Sequence, residues 1–126
     1  ILNGGLRDLA HALEERVGLD GVMLGRAAYQ SPAELLGVDA GVFGGETPAE
    51  NAVAAVEAYL PYIEARLTEG VPLHAMTRHM LGLFNGVPGG RAWRRVLSQQ
   101  GVRAGAGVEV VRAALAEVTR PRVHAA

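Results

Sequence analysis

The chain is 126 residues long, 49% hydrophobic and 20% charged, with a formal net charge of −1 and no cysteine. That balance describes one folded domain, or one small domain carrying part of another, and excludes a disulfide scaffold, a thiolate zinc site and a cysteine nucleophile within these residues. No run reaches the roughly 18–20 consecutive apolar residues of a membrane-spanning helix, and no charged leader with an apolar core opens the chain, so neither a membrane nor export is expected.

A first residue of Ile1 rather than Met is expected of a piece of a longer polypeptide. Ile1-Leu2 running into Asn3-Gly4-Gly5 reads as a strand end followed by a tight glycine turn. Leu6, Leu9, Leu13 and Val17 then recur at helical spacing and predict an amphipathic helix that stops near Gly18. Gly21-Val22-Met23-Leu24 is a short apolar run bounded by glycine, the pattern of a strand buried on both faces. Strand, helix and buried strand in that order make a parallel α/β unit, and Gly25-Arg26 leads into a further helical start at Ala27–Gln30.

Residues 37–46 hold four glycines and no helical period, which places a domain boundary there: 1–45 as one unit and 46–126 as the next. Thr47, Pro48 and Glu50 read as N-cap, first helical residue and reciprocal partner of a capping box. The helix that follows carries Val53, Val56, Leu60, Ile63 and Leu67 on one stripe, and Pro61 is expected to kink or split it. Further helices are expected over Leu73–Phe84, burying Leu73, Met76, Met80 and Phe84, over Arg91–Gln100, and over Val108–Val118 through Val108, Val111, Leu115 and Val118. The fold class is thus α/β followed by an all-α bundle of four short amphipathic helices.

Charge divides along the same line. Residues 1–65 hold three arginines against ten carboxylates, a balance of −7; residues 66–126 hold nine arginines against three, a balance of +6. Between Gly70 and Val108 there are five arginines and no acidic residue. All twelve basic residues are arginine, which nucleotide bias alone would explain; the asymmetry itself points to a polyanionic partner.

Two features carry candidate chemistry. Asn3-Gly4-Gly5 and Gly25-Arg26 each follow a strand end, where bare backbone N–H groups, a helix N-terminus and a guanidinium suit a phosphate; ordinary turns with a solvated Arg26 are the plainer alternative. At about 100° per residue, Arg91, Arg94, Arg95 and Ser98 share one helix face while Trp93, Val96 and Leu97 face a core, and Arg78 is free to join the basic side. That strip suits a phosphate backbone, or is a solvated face salt-bridged to the acidic half. His74 and His79 are five apart and form no metal pair; His11 reads as a surface position and His124 as part of a frayed tail. No carboxylate pair suggests an acid/base couple, and no metal site is expected.

Asn3-Gly4-Gly5, the run Asp20 to Gln30 (DGVMLGRAAYQ), Arg78 to Phe84 (RHMLGLF) and Arg91 to Arg95 (RAWRR), in this order, resemble the C-terminal portion of a tRNA-dihydrouridine synthase, most closely the A-type bacterial subfamily. The likeness runs from Ile1 to about Val118. It implies a cytoplasmic flavoenzyme whose N-terminal TIM barrel holds FMN and whose helical domain grips tRNA. It also implies that Asn3, Gly4, Gly5, Gly25 and Arg26 hold the FMN phosphate. Arg91 and Arg94, with Arg78 and Arg95, are then the tRNA contacts. In such an enzyme NADPH reduces the flavin, a hydride passes to a D-loop uridine, and a cysteine protonates the other ring carbon. This chain has no cysteine and lacks the first six barrel strands, so by itself it is expected to be inactive and to expose apolar surface. The alternatives are a stand-alone helical nucleic-acid-binding module and a phosphate-binding barrel enzyme acting on a small metabolite.

Overall fold

Two short parallel strands pair across a helical crossover. In this computed structural model, which describes residues 1–121, β1 (Leu2–Asn3) lies beside β2 (Val22–Met23), with Leu2 opposite Val22 and Asn3 opposite Met23. Parallel strands require a long connection, and α1 (Leu9–Glu15) supplies it. The helix is shorter than the leucine spacing predicts. Asp8 caps it by accepting from the backbone N–H of His11 at 2.8 Å, which leaves Leu6 outside, and Val17 lies beyond the C-cap Arg16 and is exposed. The strand expected to be buried on both faces is not: Val22 is half-buried and Met23 exposed, in a sheet of two strands.

After β2 come α2 (Arg26–Gln30), a 3₁₀ segment (Pro32–Gly37) and α3 (Val38–Phe43). The expectation that residues 37–46 lack helix is therefore wrong as far as Phe43. Four glycines hide the helix from a periodicity reading, and only Gly44, at φ 68°, is in the left-handed conformation that ends it.

α4 (Ala52–Thr68) begins at Asn51, whose side chain accepts from Ala54 N–H at 2.9 Å. The capping box at Thr47, Pro48 and Glu50 does not form; Asn51, four residues on, is itself a strong cap in extended conformation and takes the role. The helix runs unbroken through Pro61, with Val56, Leu60 and Ile63 buried. α5 covers only Leu73–Thr77, so the helix expected to reach Phe84 is corrected. Beyond Thr77 the chain closes in i→i+3 turns, Met80 N–H to Thr77 O and Leu83 N–H to Met80 O, and the Trp93 indole takes the Met80 carbonyl at 3.0 Å. Leu73 and Phe84 are buried as expected, whereas Met76 and Met80 are only half-buried.

α6 (Gly90–Gln100) buries Trp93, Val96 and Leu97, and α7 (Val108–Thr119) buries Val110, Val111, Ala114 and Leu115. The expected α7 stripe is rotated: Val108 and Val118 sit at its margins, and Ala114, too small to register as apolar, lies at its centre. Gly90 lets α6 start tight over Phe84, because a Cβ there would strike the Phe84 carbonyl. One continuous core draws on α4 to α7 together with Phe84. In residues 1–50 only Ala12 is fully buried. The expected tail position His124 lies outside the described residues.

Candidate functional site

The register of the two strands brings their following turns side by side. Asn3, Gly4, Gly5, Gly25 and Arg26 all line one cleft of about 650 Å³, together with Arg7. Gly4 (φ 96°) and Gly5 (φ 74°) are both left-handed, and nothing lies within 4 Å of where a side chain would begin, so their backbone is bare toward open space. No carboxylate is among the residues that line the cleft, and two guanidinium groups are. The charge and the exposed amides suit an anion with several acceptor oxygens.

One part of the expected arrangement differs. The glycine turn does not feed directly into a helix N-terminus, because Leu6, Arg7 and Asp8 intervene and the Asp8 carboxylate already caps α1. The positive character of the cleft therefore comes from the glycine amides and the arginines, not from the dipole of α1. Arg7 was not singled out from sequence. Its place two residues after the glycine pair was the available signal.

The second group lies on α6 and the turn before it. Arg91 and Arg95 are exposed, as are Ser98 and, after α5, Arg78; Arg94 is half-buried. Arg91, Arg94 and Arg95 sit in the first half of α6, which has no acidic residue in its first turn and no basic residue in its last. This opposes the placement that helix electrostatics favours, with cations at the positive end. Such a local conflict is tolerated where the charge serves something other than folding. The alternative of salt bridges to the acidic half is not realised. Among the described residues, ion pairs join His11 to Glu15, Arg66 to Glu69, Arg112 to Glu64 and Arg120 to Glu117, and none involves Arg78, Arg91, Arg94 or Arg95.

The two groups are linked. Asn85 donates through Nδ2 to the carbonyl oxygen of Gln30 at 2.7 Å, and its Oδ1 accepts from Arg94. His79 lies 3.0 Å from the Tyr29 hydroxyl through Nδ1 and accepts from Arg78 Nε at 3.1 Å. Sequence reasoning assigned no role to Asn85, Tyr29 or His79, because nothing local marks contacts that span 50 and 55 residues. His11 is not the plain surface position expected: its Nδ1 accepts from the Arg7 backbone N–H at 3.2 Å and it is partly buried beside Glu15. Among the described residues, no group of three or more His, Asp or Glu side chains could hold a metal ion, and no helix is long and apolar enough to cross a membrane.

Comparison with known proteins places the chain as a whole. A tRNA-dihydrouridine(20/20a) synthase of Yersinia pestis is 50% identical over 118 residues, covering 94% of this chain and 34% of that protein. Its counterpart in Salmonella typhimurium is 49% identical over 121 residues, 96% of this chain and 36% of the relative. The protein of the same name from Escherichia coli K12 is 46% identical over 121 residues, 96% of this chain and 35% of the relative. The chain thus spans about a third of the length of the curated relatives it matches. Residues 1–119, nearly the whole chain, match the model of the dihydrouridine synthase (Dus) family, and the chain belongs to that family.

Proposed function

We propose that this chain is the C-terminal portion of an FMN-dependent, NADPH-using tRNA-dihydrouridine synthase acting in the cytoplasm on a D-loop uridine of tRNA. Residues 1–45 would complete a TIM barrel begun outside these residues, and residues 46–126 would hold the tRNA. The observation that carries the reading is the convergence of Asn3-Gly4-Gly5 and Gly25-Arg26 on one arginine-lined cleft beside a cation-rich helical half. The relatives named for this activity match across both.

The cleft fits a phosphate monoester. Gly4 and Gly5 leave their backbone open where any Cβ would crowd an approaching oxygen, and Arg7 and Arg26 supply charge-assisted donors. These residues would hold the FMN phosphate, and FMN when bound supplies the hydride. The chain's own work is then binding and orientation. Gly4, Gly5, Gly25 and Arg26 anchor one end of the cofactor, and Asn3 at the end of β1 borders the same cleft. Arg91, Arg94, Arg78 and Arg95 draw the phosphate backbone of the RNA to the helical half without reading sequence. A uridine must leave its stack to be reduced, so a broad electrostatic grip on folded RNA serves the chemistry. Protonation of the second ring carbon falls to a group outside these residues, which contain no cysteine.

The test is a chimera. Joining residues 1–126 to the N-terminal two thirds of the Escherichia coli relative should give a yellow protein that forms dihydrouridine in a tRNA transcript with NADPH, while the 126-residue chain alone reduces none. A correctly folded chimera that binds neither flavin nor tRNA would overturn the proposal. RNA binding by the chain alone, with a folded chimera that never reduces uridine, is the outcome of the stand-alone binding module.

A further inference from the structure

Two arginines of the basic face are tethered rather than loose, and both tethers end on the last two residues of α2. In the first, Asn85 stands between the Arg94 guanidinium and the Gln30 carbonyl, donating to Gln30 O at 2.7 Å and accepting from Arg94 Nη1. Only one orientation of the Asn85 amide serves both neighbours, because a carbonyl can only accept and a guanidinium can only donate. In the second, Arg78 Nε donates to His79 Nε2, so in the neutral ring the hydrogen sits on Nδ1 and faces the Tyr29 hydroxyl. The Tyr29 and His79 rings meet edge-on with centroids 5.7 Å apart.

A third observation fixes where the tethers end. Gly82 lies so close to Gln30 that a Cβ would strike its carbonyl oxygen, and the loop after α5 closes on α2 only because that atom is missing. α2 is five residues long, and Arg26 at its start and Gln30 at its end both line the phosphate cleft. The guanidinium of Arg94 is therefore set relative to the cleft as well as to its own helix.

We propose that Asn85 is a positioning residue for RNA binding, holding Arg94 against α2 so that a phosphate docks on a guanidinium already in place at a fixed offset from the cleft. The proposal rests on the reading of Arg94 as an RNA contact. A side chain held beforehand has less rotamer freedom to lose when its partner arrives. One Arg94 nitrogen is engaged by Asn85, and its remaining N–H groups stay available to phosphate oxygens.

The experiment is a double-mutant cycle in the 126-residue chain, read as the Kd for an unmodified tRNA transcript at fixed salt. Asn85→Ala is expected to weaken binding by about three- to tenfold when Arg94 is present and to change nothing in the Arg94→Ala background. An equal loss in both backgrounds overturns the proposal, since Asn85 would then act through the fold or touch RNA itself. A second readout needs no RNA: the Arg94 Nη resonances should be resolved by hindered rotation in the parent chain and collapse in Asn85→Ala. Unchanged resonances overturn the tether. A Kd indifferent to Arg94→Ala overturns the RNA role and counts against the reading of Arg94, while the Nη signals still report separately whether Asn85 holds it. Should Asn85→Ala impair folding, Asn85→Ser, too short to reach both partners, serves in the same cycle with the same expectations.

Discussion

The indole N–H of Trp93 donates to the carbonyl oxygen of Met80 at 3.0 Å, while its ring lies fully enclosed and edge-on to Phe84, with centroids 4.8 Å apart. One side chain thereby fills the centre of the helical core and ties α6 to the turns that follow α5. Trp93→Phe retains most of the packing and removes the indole donor, leaving the Met80 carbonyl with only the Leu83 N–H, and should destabilise by about 0.5–1.5 kcal/mol. Trp93→Ala should cost about 3–5 kcal/mol. Urea unfolding followed by far-UV circular dichroism ranks the two.

Gly82 and Gly86 make a contrasting pair. An alanine at 82 meets the Gln30 backbone, whereas at 86 it meets nothing within 4 Å but must adopt φ 77°. Gly86→Ala should cost about 1–2 kcal/mol from backbone conformation alone. Gly82→Ala should also separate the loop from α2, so it should weaken the Asn85–Gln30 bond where Gly86→Ala leaves it intact. Amide exchange at the affected segments, compared between the two variants, distinguishes collision from strain.

At the cleft, Arg26→Ala should weaken binding of a phosphate monoester by about tenfold, the effect of losing one charge-assisted hydrogen bond. Arg7→Ala should weaken it less than or as much as Arg26→Ala. Titrating the chimera with FMN by fluorescence quenching measures both; affinity unchanged in the two variants would remove the cleft from consideration.

The basic face is checked through ionic strength. Arg91→Ala with Arg94→Ala should weaken tRNA binding and reduce the slope of log K against log salt by about one to two units, as expected for two lost phosphate contacts. Loss of affinity with an unchanged slope would mean that the arginines act through the fold instead.

Tyr59 provides the pH dependence. Its pKa is raised above the ordinary tyrosine value of 10.0, first by burial and second by Tyr62, whose ring stacks on it at 5.1 Å. The neutral phenol is favoured in the folded chain, so this contribution to stability is fully present below pH 10.0 and is lost as pH rises through the folded pKa. Urea midpoints at about pH 9 and about pH 11 should differ more for the parent than for Tyr59→Phe, whose ring keeps the packing without the ionisable group.

Much of the helical half was legible in sequence because its buried residues are large and periodic: Val56, Leu60 and Ile63 on α4, and Trp93, Val96 and Leu97 on α6, lie where the spacing puts them. The errors have two causes. Asn51 wins locally, as the stronger cap standing directly before α4. At Met80, whose carbonyl also takes the Trp93 indole N–H, and at Ala114, which outranks Val108 at the core, contacts from elsewhere in the chain decide between locally acceptable options. The two glycine turns were legible as motifs, since bare backbone after a strand end has few uses. Their junction with the arginine face was not, because the bonds that make it, Asn85 to Gln30 and His79 to Tyr29, join residues at least 50 apart in sequence.

The enclosed apolar core draws on residues from 52 onward, and the named side-chain links from α2 to that half are the Gln30–Asn85 and Tyr29–His79 hydrogen bonds, both exposed. Local opening should therefore be graded along the chain. In deuterated buffer, amides of α6 and α7 should retain their protons longest, while those of β1, β2 and α2 exchange through a lower-energy fluctuation that does not require the helices to unfold. A ligand seated on Gly4, Gly5 and Arg26 would then slow exchange mainly in the first thirty residues, making deuterium uptake a direct gauge of cleft occupancy.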